Sequence, residues 1–166
     1  MSEIVSLTTE LFEPLRLALD VVARERRYLA LTEAPPPDQA YGFYRRVLAE
    51  NLVMFLAVLD GQVIGWCDAL PTFGQARAHV AILGIAVVPE HRGRGIGRKL
   101  LQRTMAGAWD AGFSRIELTV RADNPSARAL YESCGFQTEG VLQSAFCVDN
   151  EYCDAFSMAA LHNRGT

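Results

Sequence analysis

The chain has 166 residues, of which 50% are hydrophobic and 21% are charged. This size and composition predict a single globular domain, residues 1–166, with a core of its own. The formal net charge of −3 argues against a general nucleic-acid-binding protein, since phosphate contacts require a surplus of basic residues. There is no signal-peptide pattern and no apolar run of roughly 18 residues, so we expect a cytoplasmic protein with neither membrane nor nucleic acid as a partner. The four cysteines form no CxxC pair, and we expect no metal.

The first half of the chain predicts a strand, two helices and a hairpin. The strand is IVSL near the N-terminus, and leucines and a valine at helical spacing predict a helix over residues 11–25. After the rigid TEAPPPDQ loop, Asp38 is predicted to cap a second helix that runs to about Asn51. Two apolar runs around Asp60-Gly61 then predict a β-hairpin, because this dipeptide favours the tight turn between antiparallel strands.

The second half predicts two more helices among four strands. RAHVAILGIAVV is predicted as a long strand, and its interior Gly84 indicates a bulge or the close approach of another backbone. A helix over residues 95–111 and the strand RIELTV follow. The Asn124-Pro125 pair is predicted to start a last helix, which ends at Cys134, and two strands meet at an Asp149-Asn150 turn. The order β-α-α-β-β-β-α-β-α-β-β is that of an α+β domain and weakens the case for a doubly wound nucleotide fold.

A glycine-rich basic segment, VVPEHRGRGIGRKLL at residues 87–101, lies at the predicted strand-to-helix junction. Glycines let backbone N–H groups approach an anion, and a helix start adds partial positive charge, so the segment predicts a phosphate site. It does not match a P-loop, because Lys99 follows Arg98 instead of a glycine and Leu100 replaces the required hydroxyl. It does not match the GxGxxG dinucleotide motif, because Arg98 stands where the third glycine belongs.

Arg92, Gly95 and Gly97 form a more specific pattern, R-x-x-G-x-G. It resembles the acetyl-CoA motif (Q/R)-x-x-G-x-(G/A) of the GCN5-related N-acetyltransferase (GNAT) superfamily. A second segment of the superfamily is matched, in the right order, by VRADNPSARALYESCGF at residues 120–136. The C-terminal tail resembles the subset that acts on amino acids and related small amines, such as the bacterial amino-acid and phosphinothricin-type N-acetyltransferases.

The resemblance implies the GNAT fold, an α+β domain with four helices and a mixed, mostly antiparallel sheet of about seven strands. In that fold the fourth strand carries a bulge, here at Gly84, and diverges from the fifth to admit the pantetheine arm. The resemblance also implies acetyl-CoA as co-substrate, and direct acetyl transfer to a primary amine of a small molecule, an amino acid or a related compound. Dimers are common among similar proteins, so a homodimer is a further implication.

The resemblance assigns the cofactor contacts to the glycine loop and its surroundings. Ile85 and Val87 would bond the pantetheine arm through main-chain groups, and an N–H near Ile85 would polarise the thioester carbonyl. The basic side chains of the loop would add charge-assisted bonds to the diphosphate or the 3′-phosphate. The implied cofactor-binding residues are Ile85, Ala86, Val87, Arg92, Gly93, Arg94, Gly95, Ile96, Gly97, Arg98, Lys99, Asn124, Ala127, Arg128 and Tyr131.

The general acid implied by the resemblance is Tyr131, the tyrosine of the A-x-x-L-Y-x-x-x-G-F segment, which would give a proton to the leaving thiolate. The general base is not implied, because the carboxylate that many relatives carry on the fourth strand is absent from AHVAIL. Three candidates stay open: His79, with an ordinary pKa near 6.5, Glu33 before the prolines, and Asp68 on the third strand.

Acceptor selection is expected from the first two helices, their connecting loop and the last hairpin. Arg26 or Arg27 is a candidate clamp for a substrate carboxylate, and Trp66, Phe146 and Tyr152 are candidate pocket walls. A site without an obvious strong base favours α-amines, with a pKa of about 7.7–8.0 in peptides, over lysine side chains at about 10.4. Two alternatives stay open: acetylation of a protein or peptide N-terminus, which requires an open groove, and a non-catalytic CoA-binding regulator.

Overall fold

The computed structural model describes residues 1–163 and contains, within them, seven strands and four α-helices in the predicted order. The strands are β1 (Glu3–Ser6), β2 (Val53–Leu59), β3 (Gln62–Pro71), β4 (Val80–Val87), β5 (Arg115–Arg121), β6 (Gln137–Val148) and β7 (Glu151–Leu161). The helices are α1 (Phe12–Arg24), α2 (Pro37–Ala49), α3 (Ile96–Asp110) and α4 (Pro125–Ser133). None of these helices has the length and apolar character needed to cross a bilayer.

The strands form one sheet in the order β1-β2-β3-β4-β5-β7-β6. Neighbouring strands run antiparallel except for β4 and β5, which are parallel. The parallel ladder is short: it runs only from the Val80–Arg115 pair to the Ile82–Glu117 pair. Beyond Ile82 the two strands no longer pair, so the mixed sheet with splayed fourth and fifth strands is confirmed.

Helices cover both faces of the sheet, and the alternation of side chains along β2 and β3 determines which helix lies on which face. Met54 and Trp66 face α1 and α2, and their side chains share a cavity with residues of those helices. Phe55 points to the opposite face, where its ring packs against Gly107 of α3. Cys67 pairs with Phe55 across the β2–β3 ladder and therefore faces α3 as well.

Two local predictions are wrong and one is confirmed. Asp38 does not cap α2, because the helix begins one residue earlier, at Pro37, where a missing N–H has no cost. His79 precedes β4 instead of lying on it. Asn124 does cap α4: its side-chain oxygen accepts a hydrogen bond from the backbone N–H of Ala127 at 3.2 Å.

The bulge expected at Gly84 is also absent on the β3 side of the strand. The β3–β4 ladder keeps one register from the Gly65–Val87 pair to the Pro71–Ala81 pair, and Gly84 lies directly opposite Asp68. A Cβ atom placed on Gly84 would lie 3.5 Å from one carboxylate oxygen of Asp68 and 3.6 Å from the other. The glycine therefore leaves the surface of β4 open to the side chain of its cross-strand neighbour, and the slot in the sheet comes from the divergence of β4 and β5.

Candidate active site

The divergence of β4 and β5 exposes a strand edge within the sheet. β4 continues to Val87 and β5 to Arg121, but their last paired residues are Ile82 and Glu117. In this stretch of β4, every second residue directs its N–H and C=O groups toward the gap, where no neighbouring strand accepts them. Such an edge can bind an extended amide-containing chain as an added strand would bind it.

The glycine loop joins the end of β4 to the start of α3, next to this gap. Gly93 (φ 72°) and Gly95 (φ 78°) adopt left-handed conformations that side chains disfavour. The first helical bond of α3 runs from the Lys99 N–H to the Gly95 carbonyl at 3.2 Å. The preceding N–H groups of Ile96, Gly97 and Arg98 thus lie at the positive end of the helix dipole, free for an anion.

This arrangement fits the elongated shape and charge of acetyl-CoA. The diphosphate matches the N–H groups at the start of α3, and the pantetheine amides match the open edge of β4. Arg94, Arg98 and Lys99 are exposed around the loop, where they can reach phosphate oxygens. Gly97 has a packing reason as well, because a Cβ there would lie 3.4 Å from the side chain of Leu130 in α4. The contacts of these residues with the cofactor stay predictions.

Arg92 is engaged elsewhere. Its Nε donates to the Val87 carbonyl at 2.8 Å, and its two Nη atoms donate to the Glu25 carboxylate at 2.9 and 2.5 Å. The guanidinium also stacks on the Tyr28 ring, 4.7 Å from its centroid. Arg92 therefore ties the loop after α1 to the end of β4, so we expect it to position the glycine loop through these contacts, and direct bonding to phosphate stays a prediction.

Arg128 is engaged in a similar way on α4. Its guanidinium lies over the Phe156 ring, 4.0 Å from the centroid, and its Nε lies 3.1 Å from a Glu132 carboxylate oxygen. Of the implied α4 residues, Ala127 is half-buried and directs its N–H to the Asn124 cap. Their cofactor contacts also stay predictions.

Tyr131 lies on the α3 side of the sheet. It is 8% exposed, and its ring packs against Phe136 with the centroids 5.9 Å apart. Burial raises the pKa of Tyr131, and the nearby Cys67 thiol raises it further. The phenol is consequently protonated at neutral pH, which is the state a general acid requires.

A cavity of about 260 Å³ lies on the other face, between α1, α2, the loop between them, and the β2–β3 hairpin. Its walls are mainly apolar, and the polar side chains among its lining residues are those of Gln39, Tyr44 and Asp68. Tyr44 is 3% exposed, and its hydroxyl has no hydrogen-bond partner within residues 1–163. Burial raises the pKa of Tyr44 to about 12, so this phenol is neutral as well.

Asp68 joins this cavity to the gap in the sheet. Its carboxyl group lines the cavity and lies over Gly84, next to Ile85, whose N–H is expected to polarise the thioester. Burial raises the pKa of Asp68 from 3.8 to about 7. A carboxyl group with that pKa is ionised in a large fraction of molecules at neutral pH and is a stronger base than an ordinary aspartate. Of the three candidate bases, Asp68 is therefore the one that lines the cavity and has a raised pKa, and its role as the base stays a prediction.

Neither of the other two base candidates lines this cavity. Glu33 is exposed and pairs with Arg24 at 3.6 Å. His79 is exposed at the start of β4, and along the strand its five-residue separation from Gly84 corresponds to about 16 Å. The structure thus brings Asp68 to the unpaired stretch of β4, beside Gly84, and does not bring Glu33 or His79 there. The position of the Tyr131 hydroxyl relative to the thioester stays a prediction. One signal for Asp68 was available in the sequence: it is the only acid in the apolar run VIGWCDAL.

The predicted acceptor residues also separate. Trp66 lines the cavity, as predicted, whereas Phe146 and Tyr152 do not line it. Arg26 donates to Asp149 of the β6–β7 turn at 2.8 Å, and Arg27 lies beside the Tyr28 ring. Met54 and Tyr44 are cavity residues that periodicity alone presents as ordinary core.

The chain matches the model of the acetyltransferase (GNAT) family over residues 17–136. The protein belongs to the GNAT family. The L-amino acid N-acetyltransferase of Escherichia coli strain K12 is 31% identical over 163 residues, 96% of this chain and 98% of that protein. Spermidine N(1)-acetyltransferase of Vibrio cholerae is 36% identical over 130 residues, 76% of this chain and 74% of that protein. A phosphinothricin acetyltransferase from Sinorhizobium meliloti, solved in complex with AcCoA, has the same fold: 18% identity and a TM-score of 0.91 over 99% of this chain and 90% of that chain.

As a GNAT protein, it is an acetyl-CoA-dependent N-acetyltransferase, and the enzymatic interpretation of the sequence is confirmed. Residues 1–163 contain no cluster of side chains that could ligate a metal ion.

Replacing Gly95 with alanine is expected to weaken the binding of CoA by about tenfold, as measured by titration calorimetry. An alanine in the left-handed conformation costs about 1–2 kcal/mol, and relieving that strain turns the N–H groups away from the diphosphate. Gly112 is a matched control, because it ends α3 with a φ of 96° and lies far from the loop. Gly112→Ala is expected to lower the melting temperature but to keep the Kd for CoA within about twofold. Equal Kd values for both variants would contradict a phosphate site at the start of α3.

Proposed function

We propose that this GNAT enzyme transfers the acetyl group of acetyl-CoA directly to a primary amine of a small molecule, an amino acid or a related compound. The observation that carries the proposal is the position of Asp68, between the cavity under α1 and α2 and the open edge of β4. An amine held in the cavity against Asp68 lies next to the place where the resemblance puts the thioester.

The two proton-transfer groups lie on opposite faces of the sheet, which suits the reaction. Asp68 faces the cavity and takes one proton from the bound ammonium group, and the neutral amine then attacks the carbonyl carbon. The second proton that the nitrogen loses as the C–N bond forms passes to solvent. Tyr131 lies on the α3 side and gives its proton to the sulfur as the C–S bond breaks. The products are the N-acetylated amine and free CoA thiol, and exchange with solvent returns both side chains to their starting states. Acetyl-CoA supplies the activated acyl group, and no enzyme nucleophile is needed.

The basicity of Asp68 favours α-amines over lysine side chains. A peptide-type α-amine, with a pKa of about 7.7–8.0, can pass a proton to a carboxylate of pKa about 7 at little cost, and the cost for the amine of a free amino acid falls between this value and that of lysine. For a lysine amine, with a pKa of about 10.4, the same proton transfer is unfavourable by about 3 pKa units, or roughly 4–5 kcal/mol. The small volume of the cavity, about 260 Å³, supports a small acceptor over a protein N-terminus.

The test is thiol release from acetyl-CoA in the presence of single amino acids, their derivatives, spermidine and short peptides. We expect release with small primary amines, and a kcat that rises with pH through about 7 as Asp68 loses its proton. This apparent pKa should stay in place when acceptors of different amine basicity are compared, because it belongs to the enzyme. Release with peptides alone would replace the small-molecule proposal with N-terminal acetylation.

A further inference from the structure

The walls of the acceptor cavity contain no positive charge. Apolar side chains such as Leu19, Phe43 and Trp66 form most of the surface, and no arginine or lysine of residues 1–163 lines it. At about 260 Å³ the cavity is smaller than the roughly 300–1,000 Å³ pockets that take drug-sized ligands. Its shape and chemistry suit a compact apolar group, such as a phenyl ring or a branched alkyl chain.

The arginines of α1 and of the segment that follows it already have partners. Arg16 donates from Nε to the Pro35 carbonyl at 3.1 Å and from Nη1 to Glu13 at 3.3 Å. Arg24 donates to Asp20 at 2.7 Å. Arg26, the predicted clamp, donates to Asp149. A carboxylate on the acceptor would have to share a guanidinium whose position is already set by another partner.

A free α-carboxylate would also lie close to Asp68. It is attached to the same carbon atom as the reacting amine, and the amine must contact the Asp68 carboxylate to lose its proton. Two like charges at that separation, in an apolar cavity without a cation, repel each other strongly. An amide, an ester or a hydrogen atom in place of the carboxylate removes the repulsion and keeps the amine in position.

Resting on the proposed function, the geometry points to a narrower substrate class: a primary amine with a compact apolar body and no charged carboxylate, such as an aralkylamine or the amide or ester of a hydrophobic amino acid. Asp68 binds the amine, and the apolar walls bind the body. Free amino acids are poor acceptors by comparison, and acceptors with a second charge, such as glutamate, lysine or spermidine, are poorer.

The first experiment compares L-phenylalanine amide, L-phenylalanine, 2-phenylethylamine, L-lysine and spermidine by thiol release. Each kcat/KM is corrected for the fraction of neutral amine at the assay pH. We expect the corrected kcat/KM of the amide and of phenylethylamine to be at least about tenfold above that of free phenylalanine, equivalent to about 1.4 kcal/mol. Their kcat/KM should exceed those of lysine and spermidine by a larger factor. Equal or better use of free phenylalanine, or a preference for lysine or spermidine, would overturn the inference.

The second experiment changes the charge of the cavity wall at Gln39, an exposed position in the first turn of α2 where either charge is tolerated. Gln39→Arg is expected to raise the ratio of kcat/KM for free phenylalanine to kcat/KM for its amide by about fivefold, because the arginine supplies the missing cation. Gln39→Glu, the matched control, is expected to shift the ratio in the opposite direction. The same ratio in both variants would contradict the electrostatic explanation.

Different results would contradict the proposed function and the narrower substrate class. If no amine releases thiol, the proposed function is wrong. If only amines with a second charged group are acetylated, the proposed function stands and the inference about the acceptor is wrong. A phenylalanine-initiated tetrapeptide that is used better than the amide would overturn the small-molecule class.

Discussion

Replacing Asp68 with asparagine is expected to lower kcat by about 10²- to 10⁴-fold, the range typical of a lost general base. Asparagine keeps the size and shape of the side chain over Gly84 but cannot accept the amine proton. The rise of kcat with pH near 7 should also be absent from the residual activity of the variant, because burial gives the Asp68 carboxyl group of the wild type a pKa of about 7. Steady-state rates between pH 5.5 and about 9 measure both effects.

The same variant is expected to be more stable than the wild type above pH 7. The pKa of Asp68 rises from 3.8 to about 7 on folding, so the folded protein holds a proton that the unfolded chain releases. Stability therefore falls as the pH rises from about 4 to about 7, and it stays reduced above that window. Asparagine removes this loss of unfolding free energy. For a fully buried carboxyl group the loss is up to about 4 kcal/mol, and it is smaller here because Asp68 is partly exposed. Urea unfolding at pH 5 and pH 8 should show a gain that grows with pH.

Glu33→Gln and His79→Gln are the matched controls for Asp68. Both side chains are exposed and neither lines the cavity, so kcat should change less than about twofold. A large loss of kcat in either variant, with Asp68→Asn still active, would move the base to that residue. An Asp68→Asn protein that loses both activity and stability at pH 8 would show a structural carboxylate instead.

Replacing Tyr131 with phenylalanine is expected to lower kcat by about 10²- to 10⁴-fold and to leave the Kd for acetyl-CoA within about twofold. Phenylalanine keeps the ring packed against Phe136, 5.9 Å away, so the backbone of α4 and the cofactor edge stay in place. Only the proton that the thiolate receives is lost. Steady-state rates of thiol release give kcat, and titration calorimetry with acetyl-CoA gives the Kd.

Tyr152→Phe is the control for the loss of a phenol. Tyr152 is 72% exposed on β7 and lies outside the cavity, so its replacement should change neither kcat nor affinity. A Tyr131→Phe enzyme with a normal kcat would show that solvent supplies the proton and that Tyr131 is a core residue. A loss that appears only in the Kd would make it a binding residue.

The elements of the fold were predictable because their signals are local. Asp60 and Gly61 have φ values of 50° and 75°, and Asp149 and Asn150 have 52° and 62°. Both turns are thus the left-handed pairs that these residue types favour between antiparallel strands. Asn124 caps α4 as predicted, since a cap needs only residues three positions apart. The glycine loop is equally local, and its spacing predicted the start of α3.

The partners of individual side chains were not predictable in the same way. Arg92 belongs to the motif, yet its guanidinium binds Glu25, 67 residues earlier in the chain. Glu33, before the prolines, and Asp68, on the third strand, were equivalent candidates for the base in the sequence. The register of β3 against β4 separates them: it sets Asp68 opposite Gly84, and Glu33 stays in an exposed loop.

The amino-acid order by itself determined the succession of helices and strands, the glycine-rich turn before α3 and the family to which the chain belongs, since each depends on residues close together in the chain. Only the tertiary structure decided which carboxyl group lines the cavity beside Gly84, how far its pKa is raised, and that no lysine or arginine of residues 1–163 lines that cavity. Those properties depend on strand register and burial, which arise when distant segments pack together and exclude water.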